Sequence, residues 1–179
     1  SINYIKNLSD YKLEGNNYLS HSSYVLNDTQ MDRVKKLITE HTDKYISEIL
    51  GLNDKFKLIN SWTTRNPQDS VHHQHSHPNS IISGVYYVNA HSGDFILQSV
   101  PLFSKHFNFN YDIKDFNFVN SKSWTIPVRT GTLLLFPSWM NHEVTKNLHI
   151  EDRRILGFNL FLDLDNITLG KDVNFTKIK

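Results

Sequence analysis

The chain has 179 residues and a formal net charge of +1 at pH 7, with 39% hydrophobic and 21% charged residues. This length suffices for one domain with its own core, and the composition is typical of a globular protein rather than a disordered one. Cysteine is absent, which excludes disulfides, thiolate nucleophiles and cysteine-bound metal within this sequence. There is no apolar run long enough for a membrane helix, no secretory pattern and no basic stripe that would indicate an obligate nucleic-acid partner. We therefore expect a single domain over residues 1–179, located in the cytoplasm.

The first clear element is an amphipathic helix. Apolar residues recur at helical spacing from Thr29 to about Leu50. Asn27 or Asp28 can cap its start, and Gly51 stands where helices commonly end. The pattern predicts a scaffold helix over residues 29–50 that packs against a sheet.

After this helix the sequence changes to short segments that are rich in β-branched and aromatic residues and separated by turn formers. Several strands without intervening helices favour an antiparallel sandwich or barrel, such as a jelly roll over residues 57–163. The aromatic stretch Pro101–Lys122 is either a loop over a cavity mouth or a structural excursion. Residues Lys171–Lys179 are expected to form a loose tail. The predicted strands are Lys57–Thr64, Ser80–Asn89, Asp94–Ser99, Ser123–Val128, Thr132–Phe136 and Arg153–Asp163.

The most informative feature is a cluster of four histidines within residues 72–77. Imidazole is the commonest side-chain metal ligand, and it is largely neutral near pH 7. Two histidines one residue apart on an extended segment, here His75 and His77, point to the same side. A third, distant histidine, His142, would complete a metal centre that keeps positions open for chemistry. We expect His72 and His73 to be bystanders.

Two segments resemble signatures of the 2-oxoglutarate/Fe(II)-dependent oxygenases of bacterial and phage genomes, which are relatives of the prolyl 4-hydroxylases. They are His75–Val88 and Gly131–Trp139, the second leading to His142. Trp62 and the strand Arg153–Asn159 also resemble this family. The resemblance implies a mainly β protein, a double-stranded β-helix (jelly roll) with an N-terminal flanking helix. It also implies Fe(II) bound at the mouth of the barrel and 2-oxoglutarate as co-substrate.

The resemblance matches His75, His77 and His142 to the three metal ligands. In the wider superfamily the second ligand is a carboxylate, and His77 occupies that place here. Three neutral imidazoles carry one less negative charge, and they should hold Fe(II) less tightly than a set with a carboxylate. Asp69 or Glu143 could supply a carboxylate instead, although neither matches the motif.

The family binds the distal carboxylate of 2-oxoglutarate with an arginine, whose planar fork suits a carboxylate. The resemblance favours Arg153 over its neighbour Arg154, because the family's arginine lies six residues ahead of a terminal Asn, here Asn159. Alternation along the strand would then place Arg153, Ile155, Gly157 and Asn159 on the cavity face. Tyr86 is the second expected contact of this carboxylate, by its likeness to a tyrosine of the prolyl hydroxylases.

These expectations combine into a non-haem iron, 2-oxoglutarate-dependent dioxygenase that hydroxylates an unidentified small-molecule or peptide substrate and releases succinate and CO2. It would lie in the host cytoplasm if phage-encoded. Two alternatives stay open: a cupin-like metal-binding protein without 2-oxoglutarate chemistry, and a non-catalytic jelly-roll module that binds a ligand.

Overall fold

The computed structural model describes residues 2–9, 11–98, 112–117 and 120–164. Within these ranges two α-helices accompany ten β-strands. The helices are α1 (Ile2–Asn7) and α2 (Asp32–Lys44). The strands are β1 (Tyr11–Glu14), β2 (Asn17–Ser20), β3 (Phe56–Asn66), β4 (His72–His75), β5 (Ile82–Asn89), β6 (Asp94–Gln98), β7 (Ser123–Pro127), β8 (Leu133–Pro137), β9 (His142–Val144) and β10 (Arg153–Leu162).

The strands form two antiparallel sheets, one of six strands in the order β1-β2-β3-β10-β5-β8 and one of four in the order β4-β9-β6-β7. Neighbours in each sheet come from distant parts of the chain, as in β10, which lies between β3 and β5. This arrangement is the predicted mainly β jelly roll, with its flanking helix α2 preceding β3–β10 in the chain.

Two hydrophobic clusters divide the core, and β10 contributes to both because its side chains alternate between faces. Leu156, Phe158 and Leu160 join the cluster that includes Ile38 of α2, on the outer face of the larger sheet. Ile155 joins the cluster between the two sheets, together with residues of β5, β6, β8 and β9. The cavity face predicted for β10 is therefore the interior of the jelly roll.

The predicted helix over residues 29–50 consists of three consecutive pieces. A 3₁₀ turn at Thr29–Met31 precedes α2, and a π-helical turn at Tyr45–Ile49 follows it. The Asp28 side chain caps the start by accepting a hydrogen bond from the Gln30 backbone N–H at 2.8 Å. Gly51 ends the element with a φ of +65°, a left-handed conformation that glycine adopts without strain.

All six predicted strands are present, with bounds that differ by one or two residues. The sequence analysis missed β1, β2, β4 and β9, which have only three or four residues each. Such short strands have too few residues to display a clear alternation. Two of them, β4 and β9, carry candidate metal ligands.

The tail Lys171–Lys179 and most of the stretch Pro101–Lys122 lie outside the described residues. In the part of the chain that the structure describes, every helix is too short or too polar to cross a bilayer.

Candidate metal centre

The structure brings His75, His77 and His142 together at one end of the space between the sheets. One ring nitrogen of each lies within 4.8 Å of those of the other two. His75 at the end of β4 pairs directly with His142 at the start of β9, so these two rings share a face. Nitrogens about 2.1 Å from a common ion are separated by at most about 4.2 Å. Small ring movements would therefore suffice to bind one ion.

His77 reaches the cluster by a different route from the predicted strand alternation. β4 ends at His75, and His77 lies in the turn that follows it. Its backbone N–H donates to the carbonyl of Ser138 at 2.9 Å, and its own carbonyl accepts from the Ser80 hydroxyl at 2.9 Å. These two bonds hold the turn against the end of β8. The position of His77 is thus fixed by tertiary contacts.

The hydrogen bonds of the three rings determine which nitrogen is free. Nδ1 of His75 contacts the carbonyl oxygen of His73 at 2.7 Å, and Nδ1 of His142 contacts that of Met140 at 3.1 Å. Nδ1 of His77 contacts the amide oxygen of Asn159 at 2.7 Å. Carbonyl oxygens only accept, so each Nδ1 carries the proton and each Nε2 has a free lone pair. Metal-binding histidines typically show this arrangement.

Burial keeps two of these imidazoles uncharged. Burial, together with the neighbouring His75, lowers the pKa of His142 to about 3. It also lowers the pKa of His77, an effect that the hydrogen bond to Asn159 partly opposes. Near pH 7 both rings are neutral, which is the form that coordinates a metal.

An apolar wall and an open cleft flank the cluster. His142 stacks on Phe95 at 5.2 Å between ring centroids, and it contacts Phe136 at 4.7 Å. On the other side the ring of Trp62 lies 5.5 Å from His77. Trp62 can lie there because Gly157 has no side chain; a Cβ at this position would be 2.6 Å from the indole. A cleft of about 730 Å³ opens beside these rings, between β3 and β4.

Arg153 is the other unusual group of the interior, since its side chain is only 1% exposed. Nη1 donates to the carbonyl of Thr145 at 3.0 Å, and Nε lies 3.5 Å from the amide oxygen of Asn66. Among the described residues no carboxylate lies within ion-pair distance of this guanidinium. Burial accordingly lowers the pKa of Arg153. A buried cation without a counter-charge is costly, and it favours the binding of an anion.

Several buried polar atoms have no hydrogen-bond partner in the described residues, and two of them belong to side chains that interact with each other. They are Nη2 of Arg153 and the hydroxyl of Tyr87. The two side chains interact electrostatically, and burial raises the pKa of Tyr87, so its hydroxyl keeps its proton. Buried polar groups are rarely left unpaired. A guanidinium N–H and a phenol O–H that both lack acceptors can donate to the two oxygens of one carboxylate group.

The structure places Tyr86 elsewhere. Tyr86 pairs with Leu156 on β10, and its ring packs against the cluster on the outer face of the larger sheet. Tyr87 pairs with Ile155, and both belong to the interior cluster. Tyr86, which the resemblance assigned to this carboxylate, therefore lies on the face away from Arg153, and only the Tyr87 pair faces inward, because directly opposed residues share a face.

The alternative residues considered from the sequence lie away from the centre. Asp69 is exposed and forms an ion pair with Lys146 at 3.5 Å. Glu143 follows His142 on β9 and points to the other face by alternation. Arg154 lies 3.8 Å from Asp152, on the face opposite to Arg153. None of the three belongs to the histidine cluster.

A second group, formed by His91, His149 and Glu151, also has the side-chain types and spacing of a metal site. Its members already satisfy each other: His91 pairs with Glu151 at 3.2 Å, and the Glu151 backbone N–H donates to the His149 ring at 3.1 Å. The group lies at the surface. These contacts account for its geometry without an ion.

Contacts of three residues in this interior were not foreseen from the sequence. Asn159 was placed on the cavity face, but its bond to His77 was not foreseen. Tyr87 could have been chosen by extending the β5 alternation from Ser83, which bonds to Asn159 at 2.7 Å. His72 was taken as a bystander, yet its ring stacks on that of His75 at 5.0 Å. No signal within the sequence indicates that position.

Comparison with known proteins identifies a family that matches this chain. A profile described as "Putative 2OG-Fe(II) oxygenase" matches residues 60–159. No curated protein matches the sequence.

Solved structures share the fold at low sequence identity. An oxidoreductase of the 2OG-Fe(II) oxygenase family from Burkholderia pseudomallei has a TM-score of 0.58 and 12% identity, over 89% of this chain and 75% of its own. HygX from Streptomyces hygroscopicus, with nickel and 2-oxoglutarate bound, has a TM-score of 0.59 and 13% identity, over 90% and 76%. Its complex that also contains hygromycin B gives 0.57 and 14%, over 87% and 74%. At these identities the likeness is one of fold.

Proposed function

Because this chain belongs to the family of 2OG-Fe(II) oxygenases, we propose that it is a dioxygenase that hydroxylates its substrate and converts 2-oxoglutarate to succinate and CO2. As a member of that family it is an oxidoreductase whose cofactors are Fe(II) and 2-oxoglutarate. The proposal concerns which residues hold these groups and what they do.

Nε2 of His75, His77 and His142 binds the iron in this proposal. The observation that carries it is the hydrogen bonding of the three rings, in which every Nδ1 faces a carbonyl oxygen and every Nε2 is left free. Packing alone gives no reason for three separate imidazoles to adopt one tautomer and converge. Three ligands on one side of the ion leave positions for other groups.

Arg153 and Tyr87 bind the distal carboxylate of 2-oxoglutarate. Support comes from their two unpartnered buried atoms and from the uncompensated charge of Arg153. Thr145 and Asn66 hold the guanidinium in place through Nη1 and Nε, so that Nη2 is the atom left for the ligand. A preorganised donor loses little entropy when it binds.

When bound, iron and 2-oxoglutarate supply the oxidation of a substrate C–H bond by dioxygen. The chain's own residues orient these partners and limit water. Phe95 and Phe136 cover the His142 ring, and Asn159 fixes the ring plane of His77. Such supporting contacts control the orientation of ligands and the access of solvent.

The substrate would enter through the cleft of about 730 Å³, which is lined by the β1–β2 turn, by β3 and by β4. Among the described residues, its lining contains one carboxylate, that of Glu14, and no lysine or arginine. This electrostatic character suits an uncharged or cationic small molecule or peptide segment better than a polyanion. A relation to prolyl 4-hydroxylases, a phage origin and a cytoplasmic location stay predictions.

Titration of metal-loaded protein with 2-oxoglutarate, followed by succinate measurement with Fe(II) and oxygen, tests the proposal. We expect stoichiometric binding of 2-oxoglutarate to protein loaded with Ni(II), which is inert in this chemistry, and succinate formation only with Fe(II). A cupin-like metalloprotein would bind the metal and not 2-oxoglutarate. A non-catalytic module would bind a ligand and form no succinate. Either result would contradict the proposal.

A further inference from the structure

His72 faces the interior of the jelly roll because of an irregularity in β4. His72 pairs with Val144 and His75 pairs with His142, and the register shifts between the two pairs. Val144 and His142 are both buried interior residues, and directly opposed residues share a face. A regular strand would turn positions three apart to opposite faces. The bulge therefore re-aims a fourth imidazole toward the site.

His72 lies beside a metal-ligand candidate, and its partner strand leads to the residue that holds the buried arginine. Its ring stacks on His75 at 5.0 Å, with 24° between the planes. Its cross-strand partner Val144 is followed by Thr145, whose carbonyl accepts from Nη1 of Arg153. The ring also lines the open cleft. The side chain of the neighbouring His73 is exposed, and it is the backbone carbonyl of this residue that contacts His75.

The imidazole of His72 is half-buried, and neither of its ring nitrogens has a hydrogen-bond partner among the described residues. The neutral ring has one N–H to donate. A donor that lies between a metal site and an arginine is suited to an anion that spans both.

We infer that His72 binds the co-substrate by donating its ring N–H to a carboxylate oxygen of 2-oxoglutarate, and this inference rests on the proposed function. The ring lies along the path from the iron ligands to Arg153 and supplies a neutral donor there. Its stacking on His75 holds the ring in the orientation that the bulge creates.

Calorimetric titration of Ni(II)-loaded protein with 2-oxoglutarate tests the inference with two variants of opposite design. His72→Phe keeps an aromatic ring for stacking and removes the N–H, while His72→Gln keeps an N–H donor and removes the ring. The matched control is His73→Phe at the exposed neighbouring position. We expect His72→Phe to weaken 2-oxoglutarate binding roughly 10- to 100-fold, the effect of one hydrogen bond to a charged group. We expect His72→Gln to stay within about threefold of the wild type, and His73→Phe to be unchanged.

Ni(II) affinity, measured in the same variants, separates ligand binding from support of the metal centre. The inference requires that all three variants keep the Ni(II) affinity of the wild type. Unchanged 2-oxoglutarate affinity in His72→Phe, or a parallel loss of Ni(II), would overturn it and leave His72 as a packing residue of His75. If His72→Phe does not fold, His72→Ala takes its place, and equal binding by the Ala and Gln variants overturns the inference. Wild-type protein that binds Ni(II) but not 2-oxoglutarate would instead refute the proposed function.

Discussion

Replacing Arg153 by methionine should separate ligand binding from folding, because this arginine is buried without a counter-charge. The side chain is 1% exposed, and the described residues offer it backbone and amide oxygens but no carboxylate. Methionine fills a similar volume and removes the charge. The substitution loses the bond to Thr145 and ends the desolvation of the cation. These effects oppose each other, so we expect the ligand-free protein to keep its unfolding free energy within about 1 kcal/mol.

Binding of 2-oxoglutarate should respond far more strongly than folding. Loss of a desolvated charge partner costs about 2–5 kcal/mol of binding free energy. A loss of about 3 kcal/mol raises the dissociation constant roughly 100-fold. At a ligand concentration about 100 times the wild-type Kd, binding stabilises the wild type by about 2.7 kcal/mol and the variant by about 0.4 kcal/mol. At about 2–4 °C per kcal/mol for a domain of this size, the melting temperature rises by about 5–11 °C in the wild type. The rise in the variant should be about 1 °C.

Thermal unfolding of the Ni(II)-loaded protein, with and without 2-oxoglutarate, measures both effects. The matched control is Arg154→Met, since Arg154 is adjacent in sequence, lies on the other face and neighbours Asp152 at 3.8 Å. We expect this control to keep the full rise in melting temperature. If the rise survives in Arg153→Met and disappears in Arg154→Met, the face assigned to the co-substrate is the wrong one.

Three further predictions concern the metal, the approach to Arg153 and pH. His142→Ala should weaken Ni(II) binding more than about 100-fold while circular dichroism shows an intact fold. The loss of a metal ligand should reduce affinity more than the 10- to 100-fold loss that follows removal of a group supporting a ligand. Full metal occupancy in this variant would exclude His142 as a ligand. Gly93→Ala should reduce 2-oxoglutarate affinity at least about tenfold with Ni(II) affinity unchanged, because the new Cβ would lie 2.6 Å from Nη1 of Arg153. The control is Gly131→Ala, at a position with a similar positive φ and no atom within 4 Å of the added Cβ. Equal effects of the two variants in a calorimetric titration would show that backbone strain, and not the contact with Arg153, causes the loss. The metal-free protein should lose stability as the pH falls below 6.5, because burial lowers the pKa values of His72 and His142 to about 4 and about 3, so the unfolded chain binds protons that the folded chain does not. Urea unfolding between pH 7 and pH 5 should show a slope that grows as the pH falls and approaches about 1.4 kcal/mol per pH unit for each of these histidines near pH 5, and a flat profile would contradict their burial as neutral groups.

The sequence predicted much of the framework because its signals are local. Six strands and the helix α2 were found from periodicity and turn residues, with small errors at the ends. The alternation along β10 correctly separated Arg153 and Ile155 from Leu156, because a strand of ten residues displays its period of two clearly. The family resemblance, confirmed by the profile match, supplied the fold and the cofactors.

The three histidines named from the sequence are close together in the structure, but for reasons the sequence did not reveal. His75 and His142 meet because β4 pairs with β9, two strands too short to be predicted. His77 joins them through a turn bonded to Ser138. That these rings bind iron stays a prediction, and the metal titration of His142→Ala examines it.

By itself, the sequence determined which elements form and which residue types are available for chemistry. Only the tertiary structure decided which of two adjacent tyrosines faces Arg153, and that His72 points inward. A period of two defines two faces of a strand, and it does not say which one is buried. That choice depends on pairing register and on bulges, which are set by a neighbouring strand far along the chain. The register of β10 brings Tyr87 to the interior, and the bulge in β4 brings His72 there.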